Sequence, residues 1–459
     1  MLETLNDKKL PENPMGTAPV NKIIIQMGWP AMLSMLVNAL YNVVDSIFVG
    51  MVSEDSIAAI SLVTPIQLFI ISIAVGSGVG VKSLVSRSLG GKNYDKANQT
   101  ASTGMFIALF NGLIWIIFTA FFAKDFIHIY YQEGPIAENA LIYLQICGYC
   151  AVFVNFQIIC ENMIQATGDM KTAMYIDLAG GITNIVLDPI LIFGWVGPAL
   201  GVMGAAIATV IGEGVAMVLA IIAMFKKMER IKIKVKGYKA DWQVIKEIYA
   251  VGFPTIIMQA SLPILIMLYN QMLAGISSTA VAVLGVFNRL QSFIFMPVFG
   301  LMQGTLPLIA YNFGAGDKDR VIAIKNEAFK LAFIFMAIGL LIFQLFPKTL
   351  LGFFSAGEDM IAMGVPALRI ISLSFLSASY TIVCSNVFQA MGHGIYSLLN
   401  SLIRQLVCVL PLAYLLNEIG GVTLSWASFP LAEIFAVLYS FLVFRHLKKK
   451  EIDTLVKVQ

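Results

Sequence analysis

The stretch Thr183 to Trp195, TNIVLDPILIFGW, is apolar almost throughout, yet it holds Asp188 with Asn184 one helical turn earlier. Charge buried at membrane depth is costly, so an acid in such a run points to function by default. Asp45, Glu161, Glu213 and Glu433 lie in similar runs, and Asp177 and Glu418 stand near the ends of others. Asn38, Tyr41, Asn42 and Asp45 recur at i, i+3, i+4 and i+7, which puts them on one helical face. Thr209 and Glu213 repeat the i, i+4 spacing. Together these groups could line one polar pocket, which would hold a proton near neutrality or a cation among hard oxygen ligands. The competing reading is that such acids only bond neighbouring helices, and it fits Glu161 best and Asp45 and Asp188 least.

The elements that must position these residues follow from composition. Of 459 residues, 58% are hydrophobic and 12% charged, too apolar for a water-soluble surface, and the chain reads as a polytopic all-α membrane protein. Twelve apolar segments reach spanning length, at about 23–49, 56–81, 100–122, 138–163, 172–194, 201–225, 248–274, 280–305, 327–346, 361–390, 397–416 and 422–445. The first is long and lacks a signal-peptide cleavage pattern, so it is expected to stay in the mature chain. Nearly all Lys and Arg fall on one side if both termini are cytoplasmic, KSLVSRSLGGKNYDK among them, which predicts a multi-pass protein of the cytoplasmic (inner) membrane in that orientation. Asp45 and Asp188 then share a depth in the outer part of the bilayer. The net charge of +3 records this asymmetry; it suits anionic lipid and implies no nucleic acid partner. The five Cys fall within spans, and the CxxC of Cys147 and Cys150 has no second pair or His nearby to make a metal site.

The chain is also a duplication. Shifted by 224 positions, GWPAMLSMLVNALYNVVDSIFVG aligns with GFPTIIMQASLPILIMLYNQMLA, and CENMIQATGD with CSNVFQAMGH; Gly76 and Gly80 meet Gly300 and Gly304. Six spans per half is even, so the halves share an orientation and relate by a pseudo-two-fold axis along the membrane normal. The expected organisation is a cytoplasmic segment 1–22, an N-lobe 23–225, a basic amphipathic linker 226–247 along the inner membrane surface, a C-lobe 248–445 and a tail 446–459. The substrate site of such a protein lies between its lobes. The acids break the symmetry: Asp45 corresponds to Tyr269 and Asp188 to Leu412. Pro30 and Pro254 open the two halves, either as first-turn prolines or, if Pro30 lies deeper, as a hinge below Asp45.

The ordered series WPAMLSMLVNALYNVVDSIFVG, VSRSLGGKNYDKA, QATGDMKTAMY, NIVLDPILIFG and GVMGAAIATVIGE, with its echo in the second half, resembles the multidrug and toxic compound extrusion (MATE) transporters. The likeness runs from Gly28 to about Arg445, and the LDPI context is similar to the DinF or MepA-like side of the family. It implies a two-lobed secondary antiporter, not an enzyme, that exports organic, often cationic, compounds in exchange for H⁺ or Na⁺ and needs no cofactor. It further implies a coupling site at Asp45, Asn184, Asp188 and Thr209, the four that residue chemistry selects; Asn38, Tyr41, Asn42 and Glu213 extend the pocket. The NorM-like branch couples through acids on helices 7 and 10, where this chain has only Gln259, Asn270, Gln271, Asn386 and Gln389. The partners expected are small organic cations and membrane lipids, and the working unit a monomer. One rival is a lipid-linked precursor flippase of the same fold, which would need a basic cleft lining from Arg289, Arg369 or Arg404. An intramembrane enzyme or a receptor is the other, opposed by the scattered His128, His393 and His446 and by the duplication.

Overall fold

In hydrocarbon a backbone must satisfy its own hydrogen bonds, so apolar runs of this length fold as helices. The computed structural model describes residues 13–227, 231–233, 238–354 and 357–458, and its regular structure is helical. We number the spans α1 (Val20–Gly50), α2 (Glu54–Gly90), α3 (Tyr94–Tyr130), α4 (Pro135–Tyr149 and Ala151–Ala166), α5 (Met170–Ile192) and α6 (Gly201–Lys227). The second half has α7 (Trp242–Ala274), α8 (Ser278–Gly314), α9 (Lys318–Leu345), α10 (Glu358–Ser372 and Ser374–Met391), α11 (Gly394–Ser425) and α12 (Ser428–Ile452). Among the described residues, ten helices are long and apolar enough to cross a membrane, and the bent pairs α4 (47°) and α10 (42°) bring the total to twelve. The sequence presented each pair as one continuous apolar run, without its bend.

The helices overrun the expected spans. Both α2 and α3 have 37 residues, roughly 55 Å of helix against roughly 30 Å of hydrocarbon. Their starts are set by repeat-equivalent caps: Ser53 Oγ accepts from Ser56 N (3.1 Å) and Ser277 Oγ from Thr279 N (3.2 Å). Asn93 Oδ1 accepts from Lys96 N (3.0 Å) and Asp317 Oδ1 from Arg320 N (3.1 Å). One consequence bears on KSLVSRSLGGKNYDK, which begins just past the apolar segment expected at 56–81. Because α2 continues to Gly90, Lys82 lies inside it at 2% exposure, its Nζ satisfied by Gln165 Oε1 at 2.9 Å. The linker differs as well: its last residues belong to α7, and Tyr238 packs on α3, stacked on Phe106 with its hydroxyl 2.9 Å from Thr103 Oγ1. Residues 1–12, 228–230 and 234–237 of the expected terminal segment and linker lie outside the described residues.

The halves meet along α1 with α8 and α2 with α7. A Cβ on Gly304 would stand 2.6 Å from Met27 O, and Gly90 and Gly314 likewise abut the backbone at Tyr311 and Arg87. Such close backbone approach is how helices associate in lipid, where apolar packing alone gives no preference for a neighbour. Polar ties reinforce the same end: Ser83 Oγ donates to Gln389 O (2.7 Å) and Arg87 Nη1 to Met391 O (3.2 Å). Both described chain ends lie here. Met15 O accepts from Asn312 Nδ2 and Arg320 Nη2, each at 3.0 Å, while Val458 N donates to Ala315 O (3.0 Å) and Lys457 Nζ pairs with Asp317 (2.8 Å).

Gly304→Val should drive α8 off α1 and destabilise the protein by about 1–3 kcal/mol; an unchanged melting temperature in detergent would refute this contact. Burial alone would raise the Asp317 carboxyl, but the Lys457 hydrogen bond and the Arg320 N–H hold it below the usual aspartate range. Its folded value being depressed, the tie is complete above the unfolded value and lost as pH falls through the folded one. At neutral pH, Asp317→Asn should release the tail, seen as faster trypsin cleavage after Lys457 than in wild type.

Candidate functional site

The α1 helix joins both cores. Its first part, Ile23, Met27 and Ala31, packs with α8 and α9 of the second half, whereas Val49 packs with α5 and α6 of the first. Pro30 lies within that first part, eleven residues into the helix, so it is interior and not a first-turn proline. It cannot donate to the carbonyl one turn back, which weakens α1 within the part rooted in the second half.

Helices α5 and α6 approach backbone to backbone at Gly180 and Gly212, where a Cβ on Gly212 would sit 2.9 Å from Gly180 O and 3.2 Å from Asn184 Cβ. That approach brings Asn184 against Thr209: Asn184 Nδ2 donates to Thr209 Oγ1 (3.4 Å) and to Asp188 Oδ1 (3.5 Å), and Thr209 Oγ1 donates to Ala205 O (3.0 Å). Asp188 is fully buried and Asn184 4% exposed. Asp45 lies within electrostatic reach of Asp188. Buried Asp45 Oδ1, Asn184 Oδ1 and Asp188 Oδ2 have no hydrogen-bond partner. Three such acceptors cost about 1–3 kcal/mol each unless a donor or cation meets them. The arrangement is therefore suited to a proton or a small hard cation.

Between the halves lies a cavity of about 510 Å³ lined from both, by α1, α2, α4, α5 and α6 and by α7, α8, α10 and α11. Asn38, Tyr41, Asn184, Thr209 and Glu213 reach its wall, whereas Asp45 and Asp188 are not among its lining residues. Asn184 and Thr209 thus form a partition, touching the cavity and, through Asn184, Asp188. The Asn42 side chain lies outside the described residues. Of the arginines weighed for a basic cleft, Arg404 reaches the wall, paired with Glu433 Oε1 at 3.6 Å. It sits in a π-helical turn, Ile403–Val409, of a kind that often marks functional positions.

Sequence reasoning missed Tyr143, Gln67 and Lys82. Tyr143 on α4 is 3% exposed; its hydroxyl accepts from Gln67 Nε2 at 3.5 Å and lies within interaction range of Thr209. The only signal was Gln67, which the repeat places opposite Gln291. Asp177, expected near a span end, lies seven residues inside α5 and lines the cavity.

The MatE family model matches residues 30–190 and again 254–415. The chain belongs to the MatE family. The two matches begin 224 positions apart, the offset of the internal repeat. The multidrug export protein MepA of Staphylococcus aureus is 28% identical over 428 residues, 93% of this chain and 94% of its own. A solved structure described as the outward-facing conformation of a multidrug resistance MATE family transporter of the MOP superfamily superposes with a TM-score of 0.91 at 24% identity, over 98% of this chain and all of that one. A MOP superfamily transporter from Pyrococcus furiosus, described as having a binding pocket of reverse polarity, gives 0.89 at 24% identity over the same shares. The fold is accordingly that of a MATE transporter, a multi-pass membrane protein and not an enzyme.

Asp188→Leu, which copies Leu412 of the other half, removes one stranded acceptor and one charge. It should raise thermal stability by about 1–3 kcal/mol; a lower melting temperature in detergent would mean that the acid is a structural tie.

Proposed function

We propose that the protein is a secondary antiporter that exports organic compounds, cationic ones among them, in exchange for H⁺ or Na⁺. The partition carries this reading: Asn184 and Thr209 separate a cavity large enough for a drug-sized molecule from the acids at Asp45 and Asp188. A cation taken up there would bond Asn184 and the carboxylates, change how α1 and α5 pack, and alter the cavity wall that the same Asn184 forms. The multidrug export ascribed by name to the MepA relative supports the substrate class.

In this reading, residues 23–225 and 248–445 are the moving lobes, Pro30 is a hinge, and the termini are in the cytoplasm of a cell whose inner membrane holds the protein. The glycine-packed end is then the cytoplasmic gate in its closed state. The single chain is the working unit, since its own two halves line the cavity. Each charge returning inward at 100 mV supplies about 2.3 kcal/mol, enough for a concentration ratio of about fiftyfold.

The test is export of a fluorescent organic cation from proteoliposomes under separately imposed pH and Na⁺ gradients. One gradient should drive wild-type export, and Asp45→Asn or Asp188→Asn should slow it at least tenfold with folding intact. Export at the wild-type rate by both variants would sink the coupling assignment. Indifference of wild type to both gradients would favour a lipid-linked precursor as cargo, with Arg404 on the cavity wall as its anion contact.

A further inference from the structure

The coupling role leaves unused three charged side chains on one wall of the cavity: Lys82 on α2, Glu161 on α4 and Asp177 on α5. Glu161 is 6% exposed and accepts from Gln157 Nε2 at 3.1 Å, and Asp177 on the neighbouring helix lies within interaction range of it and of Ser34 on α1. Two carboxyl groups so close on a low-dielectric wall repel each other when both are charged, which favours one proton shared by the pair and one negative charge. Lys82, bonded to Gln165 one turn after Glu161 on α4, balances that charge.

The repeat shows how one-sided this is. The equivalents of Lys82, Glu161 and Asp177 in the second half are Leu306, Ser385 and Ser401, and all three also line the cavity. Beside Ser385, Asn386 is 7% exposed, gives Nδ2 to Met302 O at 2.9 Å, and leaves its Oδ1, on a lining residue of the facing wall, without a partner. Apolar Val75, Val79, Met258 and Phe299 complete the surroundings. A chamber with a proton-sharing acid pair on one wall, an unsatisfied amide oxygen on the other and apolar sides is built for an amphipathic cation.

We propose that the Glu161–Asp177 pair receives the cationic nitrogen of the transported molecule, which enters as the shared proton leaves. The inference rests on the export reading above and deepens it. Charge is conserved within the chamber: one proton departs, one organic cation arrives, and the two carboxylates with Lys82 are neutralised before and after, so the exchange avoids the cost of net charge in a low-dielectric site. The location is separate from the coupling acids, because Asp177 precedes Asp188 by eleven residues on α5, roughly 16 Å along the axis. The other charged groups facing the chamber are Glu213 from α6 and Arg404 from α11, the latter paired with Glu433 of α12; α1 and α4 add the neutral Ser34, Gln157 and Gln165.

The experiment titrates the purified full chain in detergent with ethidium, a fixed cation, by fluorescence at several pH values, and records proton release with an indicator in weak buffer. Wild type should release close to one proton per ethidium bound, and its affinity should rise with pH by up to about tenfold per unit, the slope for one displaced proton. The double substitution Glu161→Gln/Asp177→Asn should weaken binding at least tenfold and abolish both the proton release and the pH slope. Glu161→Gln alone keeps the hydrogen-bonding shape and should shift all three readouts in the same direction, which covers a double variant that fails to fold. Wild-type affinity and slope in a folded variant would overturn the proposal, as would ethidium binding without proton release or no ethidium binding by wild type. Gradient-driven export by wild-type proteoliposomes is read independently, so a lost recognition site and a lost export function are told apart.

Discussion

The cost of leaving a polar group unpaired in a low dielectric governs this structure. It forces the backbone into helices, and it decides which side chains can sit at membrane depth. Lys82 shows the rule obeyed: an ammonium inside α2 is tolerated because Gln165 meets it and the Glu161 carboxyl group stands nearby. Glu433 shows it again, with Arg404 and Thr381 as partners. Asp45, Asn184 and Asp188 are a cluster where the rule is broken, each with a buried oxygen left over. Strain of that kind survives selection where it is used.

What makes the broken rule useful is its connection to the rest of the molecule. The α1 helix is rooted in the core of the second half and ends in the core of the first, with a proline inside its first part. Asn184 is shared between the acids and the cavity wall. A change in the charge held at Asp188 therefore bears on a helix common to both halves and on a surface that touches cargo. Glycine contacts between the halves supply a second state-dependent element, since backbone-to-backbone packing either fits or is lost.

The duplication divides the work. Repeat-equivalent serines and polar residues cap equivalent helices, and equivalent positions on α4 and α10 line one chamber, so the scaffold is kept twice. The chemistry is kept once. Acids at Asp45, Glu161, Asp177 and Asp188 face Tyr269, Ser385, Ser401 and Leu412 in the second half. A chamber charged on one wall gives a cation a defined place and orientation, which two identical walls would not.

Much of this was legible beforehand, for reasons that are local. Hydrophobic length and the periodic placement of Asn38, Tyr41 and Asp45 depend only on neighbours along the chain, as does the i, i+4 spacing of Asn184 and Asp188, so spans and the first acid site could be read from residue order. The register of 224 positions exposed the repeat for the same reason. Tertiary structure alone decided the remainder. Whether Lys82 was loop or membrane depended on α2 continuing to Gly90 and finding Gln165 on another helix. Glu161 and Asp177 are 16 positions apart on two helices, and their pairing follows from how α4 meets α5, which no periodicity encodes. Tyr143 reached Thr209 only through the packing of α4 on α6. Spacing along a helix fixes what shares a face, but which faces meet is set by packing among helices far apart in the chain.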